Sequence, residues 1–403
     1  MVLNIAAMLT RLEDQATSDR VFLDQCLDDY PGIAEHQDNI PDSSCPVLER
    51  VSNDSGEESV REESVRVMTN FTRREFDVLW AVAELPLKAR WNDGRGSKSN
   101  TTPMDALFVT LTVLKHYDTW EKHALDFGFK APTFQKLILR VVEVVMPVFY
   151  TEFVKMPKMS ELRAQDHTFA NYPYALYATD VKFQPTERPA GRHGEAKPYF
   201  SARHTLYGLK IEASVSPQGL LVDMSEGHRG AVADLTIMRS RMDQHVGALA
   251  KSDNELSILD HGEKGYYGAS VDVRAIHPKK NPPRGILDPD DVVRNRRRCV
   301  VVENFFGRVC SLRKVSYATF TWSTKFYDEI QRLTFALTNF HVSLMPLREA
   351  DRHWYRSVLA RYESMVHATA AKCAKSQRKS RLRRMQRIAL SRGRNHSHVF
   401  TSQ

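Results

Sequence analysis

The spacing of apolar residues changes near Tyr172, and this change constrains the fold more than any other feature of the chain. Beyond that point, apolar residues recur at the spacing of strands in three segments, and the last two segments are joined by a Ser-Pro-Gln-Gly turn. The three predicted strands are YALYATD (174–180), HTLYGLKIEASV (204–215) and GLLVDMSE (219–226).

The segments that follow alternate between helical and strand patterns. GAVADLTIMRSRMDQHV (230–246) predicts a helix, LSILD (256–260) a short buried strand, and RRRCVVVENFFGRVCSLR (296–313) an amphipathic helix. Strand hairpins followed by alternating helix and strand are typical of a mixed α/β layer fold. We therefore expect an α/β domain over residues 170–348.

A helical segment precedes this domain, over residues 67–160. FTRREFDVLWAVAEL (71–85) predicts one helix. Pro103, preceded by Thr102 as an N-cap, predicts the start of a second. Its apolar face is formed by Met104, Leu107, Phe108, Leu111 and Leu114.

Two further helices complete that segment. A short helix is predicted from Thr119 as its cap to Phe127, closing at Gly128, and a longer helix begins near Thr133. Helix, short helix, glycine turn and helix is the outline of a helix-turn-helix. A plain helical bundle without DNA binding is the alternative. If the segment binds DNA, Gln135, Lys136 and Arg140 are the outward-facing candidates for contact.

Charge is distributed unevenly along the 403 residues. The formal net charge is +8, but residues 1–66 hold 15 acidic and 5 basic residues, so the remainder carries about +18. The acidic leader has no steady apolar period, and we predict that it is mostly disordered. A basic remainder suits a polyanionic partner, because neutralised phosphates release counterions. A well-solvated basic surface is the alternative.

The C-terminal segment, residues 349–403, contains the densest group of basic residues. KCAKSQRKSRLRRMQRIALSRGR (372–394) has the composition of a nuclear-localisation or nucleic-acid patch. The alternative is a solvated basic helix without such a role. We predict a partly helical tail and a nuclear protein.

Cysteine usage and hydropathy exclude several classes of protein. The five cysteines are scattered, without a C-x-x-C pair, so neither a disulfide framework nor a zinc finger is indicated. The start of the chain lacks the pattern of a signal peptide, and the most apolar later stretch, LILRVVEVVMPVFY (137–150), is interrupted by Arg140 and Glu143. We expect a soluble intracellular protein without a membrane partner.

Three acidic residues lie where nuclease chemistry needs them. Asp180 ends the first predicted strand, Asp260 ends LSILD, and Glu303 lies within the last predicted helix. Two-metal phosphoryl transfer requires hard oxygen ligands gathered at one point, where two divalent ions assist the attacking and the leaving oxygen. Strand ends and a helix face can supply that convergence. A chain with 49 acidic residues offers many such triples, so spacing alone does not decide the matter.

Linked motifs over roughly residues 70–350 resemble a known family. The chain is similar to the DDE superfamily endonuclease domain of PIF/Harbinger-type transposases, in the form common among transposase-like proteins of oomycetes. The motifs are GRGSKSNTTPMDALFVTLTVLKHYDTW, ATDVKFQPTERP, KPYFSARHTLYGLKIEASVSPQGLLVDMSEGHRGAVADLTIM, GEKGYYGA, HPKKNPPRG, VVVENFFGRVCSLRKVSYATFTW and LTFALTNFHVSLMPLR.

The resemblance implies an RNase H-like mixed sheet flanked by helices, preceded by the small all-α helix-turn-helix-like domain. It also implies Mg²⁺ or Mn²⁺ as cofactor, and cleavage and transfer of DNA strands. Asp180 matches the first family aspartate and Glu303 the final glutamate. The second aspartate usually stands directly before a K-G-Y or S-G-Y tripeptide, where this chain has Glu263. We prefer Asp260 because it ends the apolar strand, with Glu263 as the alternative second ligand.

Two basic groups near these carboxylates are candidate DNA contacts. The first group lies in HPKKNPPRG and the second directly before the helix that carries Glu303, and a solvated face is the alternative for both. They consist of Lys279 and Lys280, and of Arg296, Arg297 and Arg298.

The leading hypothesis is a transposase-derived, divalent-metal-dependent DNA endonuclease and strand-transfer protein that uses Asp180, Asp260 and Glu303. The second is a domesticated or decayed copy that binds DNA or a protein without cleaving, suggested by the altered GEKGYYG segment. A hydrolase of RNA or of a small phosphoester is a third, because fold does not fix substrate. The family usually needs a Myb-like DNA-binding partner, and a homo-oligomer is compatible with each hypothesis.

Overall fold

The computed structural model of the protein describes residues 65–91, 101–170, 172–249 and 300–397. Several sequence predictions lie outside these residues. They concern residues 1–64 of the acidic leader, the strand LSILD, and the candidates Asp260, Glu263, Lys279, Lys280, Arg296, Arg297 and Arg298.

Helices form the first half of the described chain. They are α1 (Arg73–Trp91), α2 (Pro103–His116), α3 (Trp120–Asp126), α4 (Ala131–Phe153) and the short α5 (Met159–Ala164). The long apolar face of α4 packs against α1, α2 and α3.

The predicted helix caps are confirmed. The Thr102 hydroxyl accepts a hydrogen bond from the Asp105 backbone N–H at 3.1 Å, and Pro103 is the first residue of α2. The hydroxyl of Thr119 caps α3 in the same way. Gly128 adopts a φ of 72°, the left-handed conformation that glycine adopts without strain, and turns the chain into α4.

A sheet centred on one long strand forms the next layer. Its strands are β1 (Ala178–Pro185), β2 (Phe200–Ser201), β3 (Leu206–Val215), β4 (Leu221–Met224) and β5 (His228–Arg229), with a short helix α6 (His193–Ala196) before β2. Strand β3 pairs with each of the other four, and every pairing between described strands is antiparallel. The mixed α/β class is confirmed.

Two boundaries differ from the sequence prediction. The first strand was predicted to end at Asp180, but β1 continues to Pro185. The prediction stopped short because Lys182 and Gln184 are polar residues that are buried, so the sequence lacks the usual apolar pattern of a strand there. The helix predicted over 230–246 is two helices, α7 (Asp234–Ser240) and α8 (Met242–Ala248). They meet at Arg241, whose side chain donates to Glu212 and Asp223 in the sheet.

Three helices complete the fold: α9 (Val300–Leu312), α10 (Tyr327–Leu344) and α11 (Glu349–Ser397). Helix α9 packs against β1, β3 and the first part of α11, whereas α10 packs against α4. A Cβ atom added at Gly307 would lie 1.6 Å from the backbone oxygen of Asp351, so the close approach of α9 and α11 requires glycine there.

One apolar core runs through the helical segment and the sheet layer. Asn339 of α10 connects their backbones. Its Nδ2 donates to the carbonyl oxygens of Phe153 at 2.9 Å and Leu221 at 2.7 Å, and its Oδ1 accepts from the Leu221 N–H. None of the described helices is long and apolar enough to cross a membrane.

Candidate active site

Strand β1 presents Asp180 to the face of the sheet that α9 covers. Alternate residues of a strand share a face, so Asp180 lies on the same side as Lys182 and Gln184. The Lys182 ammonium donates to the backbone oxygen of Ser316, and Gln184 Nε2 donates to that of Val315 at 2.6 Å, both just beyond the end of α9. The two contacts fix the orientation of this face.

Helix α9 brings Glu303 to the same region. Val302, Phe305 and Phe306 are fully buried and hold the first turn of α9 against the core, while Glu303 in that turn is half-buried. Tyr355 of α11 packs on Phe306, with ring centroids 5.3 Å apart. Burial is the main cause of the raised pKa of Tyr355, and the negative charges of Asp180 and Glu303 raise this pKa further. The phenol therefore stays neutral.

The pKa of Asp180 reports how these groups affect one another. It is raised from 3.8 to about 6, chiefly by burial and further by the negative charges of Glu303 and Asp234. The Val181 N–H, which donates to Asp180 Oδ1 at 2.8 Å, and the charge of Arg203 act in the opposite direction. Burial is the largest cause of this shift, and the contribution of Glu303 shows that its charge acts on Asp180.

Asp234 differs from this pair. It is the first residue of α7, and its carboxylate pairs with Lys210 at 2.9 Å and with Arg203 at 3.6 Å. By contrast, neither Asp180 nor Glu303 forms an ion pair with any residue that the structure describes. Two carboxylates that interact electrostatically, and that have no cationic partner among the described residues, have the chemistry of a divalent-cation site.

Two carboxylates alone are an incomplete set of ligands. Within the described ranges, no three His, Cys, Asp or Glu side chains are grouped so that they could hold a metal ion. Asp260 and Glu263, the candidates for the second ligand, are outside those ranges. Their roles, like those of Asp180 and Glu303, stay predictions.

The opposite face of the sheet carries a polar network that sequence reasoning missed. Glu212 of β3 is fully buried, and its Oε1 accepts from Arg241 Nη1 at 2.6 Å and lies 3.1 Å from His245 Nε2. Arg241 also pairs with Asp223, and His245 Nδ1 is 2.9 Å from the Tyr177 hydroxyl. The sequence contains one signal for it, the i, i+4 spacing of Arg241 and His245 on a helix face. Because its charges are paired, this network anchors α7 and α8 to the sheet.

A second buried ion pair holds the helix of Glu303 in place. Arg308 of α9 donates from Nε and Nη2 to the two carboxylate oxygens of Asp351 in α11, at 3.0 and 2.8 Å. Its Nη1 also donates to the Met345 carbonyl oxygen at 2.8 Å. The bidentate geometry fixes α11 against α9, one turn beyond Glu303.

The basic candidates of the helical segment occupy one exposed side of α4. Lys136 and Arg140 are both exposed and one helical turn apart. The Arg140 guanidinium donates to the backbone oxygen of Arg90 at the end of α1. Their role in DNA binding stays a prediction.

Comparison with known proteins identifies one family. Residues 179–339 match the sequence pattern of a family described as DDE superfamily endonuclease, and this range contains both Asp180 and Glu303. No curated protein and no solved structure matches the chain. The segment that carries the candidate site is therefore similar to DDE superfamily endonucleases, which supports a transposase-derived origin.

Proposed function

We propose that this protein is a transposase-derived, divalent-metal-dependent DNA endonuclease and strand-transfer protein of the PIF/Harbinger type, with an RNase H-like core. One observation carries the proposal. Asp180 and Glu303, which are 123 positions apart in the sequence, lie within electrostatic reach of each other, and neither forms an ion pair with a residue in the described ranges. Both belong to the segment that matches the endonuclease family.

The second carboxylate of the proposed site is Asp260, with Glu263 as the alternative. Two carboxylates leave an octahedral cation short of protein ligands, whereas a third would complete a DDE-type set. Asp260 is favoured because it ends an apolar segment, the position from which a strand delivers a ligand to the edge of a sheet.

The donor set fits Mg²⁺ or Mn²⁺, because both ions prefer carboxylate oxygens. When bound, two such ions activate the attacking oxygen and stabilise the leaving oxygen of a phosphodiester. Asp180 and Glu303 would hold them. The Val181 N–H orients the Asp180 carboxylate, and the buried side chains of α9 fix the position of Glu303. Asp180 must lose its proton to act as a ligand, so its raised pKa makes binding depend on pH near 6.

DNA is the proposed substrate, and the nucleus the proposed location. Lys136 and Arg140 on α4, with Lys279, Lys280, Arg296, Arg297 and Arg298, are proposed contacts with the phosphate backbone. A Myb-like protein is a proposed partner, and a homo-oligomer a proposed assembly.

A decayed copy that binds DNA without cleaving it is the second candidate function. It is favoured by one observation, that Glu263 stands before Lys264, Gly265 and Tyr266 where the family usually has aspartate. The extra methylene of glutamate moves the carboxylate away from the position that aspartate would give it.

Nicking of supercoiled plasmid by the purified protein, with Mg²⁺ or Mn²⁺, tests the proposal. Cleavage is expected for the wild type and should be lost in Asp180→Asn and Glu303→Gln. It should also be lost in only one of Asp260→Asn and Glu263→Gln, which would identify the second ligand. Glu363→Gln, an exposed change on α11, is the matched control and should cleave normally. Metal-dependent cleavage that survives Asp180→Asn would refute the assignment, and no cleavage by any form would favour the decayed copy.

A further inference from the structure

Helix α11 has two parts with opposite surroundings. Its first part is embedded in the core, where Asp351 pairs with Arg308 and where Tyr355, Val358 and Tyr362 are buried. The Tyr362 hydroxyl donates to the backbone oxygen of Tyr317 at 2.8 Å. From residue 367 to residue 387 every side chain is exposed. The second part is therefore an uninterrupted continuation of a firmly anchored helix into solvent.

The exposed part carries charge of one sign only. Between residues 364 and 387 there are eight basic residues and no acidic residue. At about 100° per residue they lie on all sides of the helix, with Lys379, Arg383 and Arg387 forming one stripe and Arg381 and Arg384 lying away from it. The eight are Lys372, Lys375, Arg378, Lys379, Arg381, Arg383, Arg384 and Arg387. We name residues 372–387 the basic arm.

We propose that the basic arm lies in the major groove of duplex DNA and binds the phosphate backbones on both sides of the groove. This inference rests on the proposed function, which makes DNA the substrate. An α-helix with its side chains is about 10–12 Å in diameter, and the major groove of B-DNA is about 12 Å wide. Positive charge around the whole helix matches a groove with phosphates along both walls. A helix that lay on one strand would need charge on a single face.

The arm does not have the pattern of a membrane-surface helix. Such a helix needs a continuous apolar face opposite its basic face. The large exposed apolar side chains of the arm are Leu382 and Met385, and Arg378 lies one turn before Leu382 on the same side. The charge of Arg378 interrupts that face, and therefore the arm fits a duplex polyanion better than a lipid surface.

The position of the arm links DNA binding to the candidate active site. Its anchored part packs against α9, which carries Glu303, and the Arg308–Asp351 pair fixes the two helices together. DNA held by the arm is therefore held at a set orientation relative to Asp180 and Glu303. The arm positions the substrate and takes no part in the chemistry.

The test measures binding of the full-length protein to a fluorescently labelled 30-base-pair duplex in EDTA, across a series of salt concentrations. Without divalent ions the assay is independent of cleavage. The arm variant is Lys379→Gln/Arg383→Gln/Arg387→Gln, since glutamine retains helix propensity. The matched control, Lys155→Gln/Lys158→Gln/Lys325→Gln, removes the same charge from exposed lysines outside α11. Circular dichroism verifies that both variants fold.

Each lost phosphate contact should reduce the steepness of the plot of log binding constant against log salt concentration by about 0.9. The three substitutions of the arm variant should therefore reduce that slope by about 2.7 in magnitude. The slope of the control should differ from the wild-type slope by no more than about 0.9, the change expected for one phosphate contact. If the arm variant and the control change the slope equally, or if the wild type does not bind the duplex, the arm proposal is overturned. The nicking assay then still decides the nuclease proposal on its own. A reduced slope without any nicking would support the arm and contradict the nuclease.

Two further measurements separate the arm from other roles of a basic helix. If the arm variant keeps the wild-type slope but no longer binds phosphatidylserine vesicles, the arm is a membrane contact and the proposal fails. If it keeps the slope but a fluorescent fusion no longer accumulates in nuclei, the arm is an import signal and the proposal fails equally.

Discussion

Substitution of Asp180 by asparagine is expected to stabilise the metal-free protein at neutral pH. In the folded protein burial and the charge of Glu303 raise the pKa of Asp180 from 3.8 to about 6. Between these two values the folded state binds more protons than the unfolded chain, so the free energy of unfolding falls as pH rises. The stabilisation is complete below pH 4 and is lost above pH 6. Asparagine has the same shape and no charge, and therefore avoids the loss.

The magnitude follows from the pKa change. At about 1.4 kcal/mol per pKa unit, ionised Asp180 destabilises the folded protein by about 3 kcal/mol at pH 7.5. The side chain is only half-buried, and solvent screening reduces that figure, so we expect Asp180→Asn to gain about 1–2 kcal/mol.

Urea unfolding in EDTA at pH 4 and pH 7.5 measures this effect. The gain should be present at pH 7.5 and absent at pH 4. When Mn²⁺ replaces EDTA at pH 7.5, it should stabilise the wild type but not the variant. Asp223→Asn is the matched control, because Asp223 pairs with Arg241 and its loss should destabilise. An Asp180→Asn variant that is less stable than the wild type at pH 7.5, or whose effect is the same at both pH values, would refute the reasoning.

Three other predictions concern the same region. Gly307→Ala should destabilise by about 1–3 kcal/mol in urea unfolding because its Cβ would meet the backbone of α11, whereas Gly194→Ala, with open space around it, should have little effect. Arg241→Ala should cost about 3–5 kcal/mol, because it leaves Glu212 buried and charged, and calorimetry showing no change would contradict that role. The affinity for Mn²⁺, measured by titration calorimetry, should weaken as pH falls below 6, where Asp180 gains a proton. A pH-independent affinity would exclude Asp180 as a ligand.

Local chemistry made part of the fold predictable from sequence. The helix caps at Thr102, Thr119 and Gly128 depend on residues within one turn of the chain, and the structure confirms them. The extent of β1 was mispredicted because Lys182 and Gln184 are buried, and the backbone oxygens they bind lie more than 130 positions away. No local pattern contains that information.

The candidate site was also only partly predictable from the sequence. Asp180 and Glu303 were named from family resemblance, and the structure adds their electrostatic interaction, which no spacing rule supplies. The Glu212 network was missed because its members become neighbours only when β3 and α8 pack together. The i, i+4 spacing of Arg241 and His245 is the signal that this network leaves in the sequence.

The hydrogen bonds of Asn339 determine how the molecule should melt. This single amide joins the end of α4 to β4 across the shared core, so the helical segment cannot separate from the sheet without leaving buried backbone groups unpaired. A fragment that ended at residue 160 would expose the apolar face of α4 that α10 covers. The helices and the sheet form one cooperative unit, and heating should unfold them in a single transition.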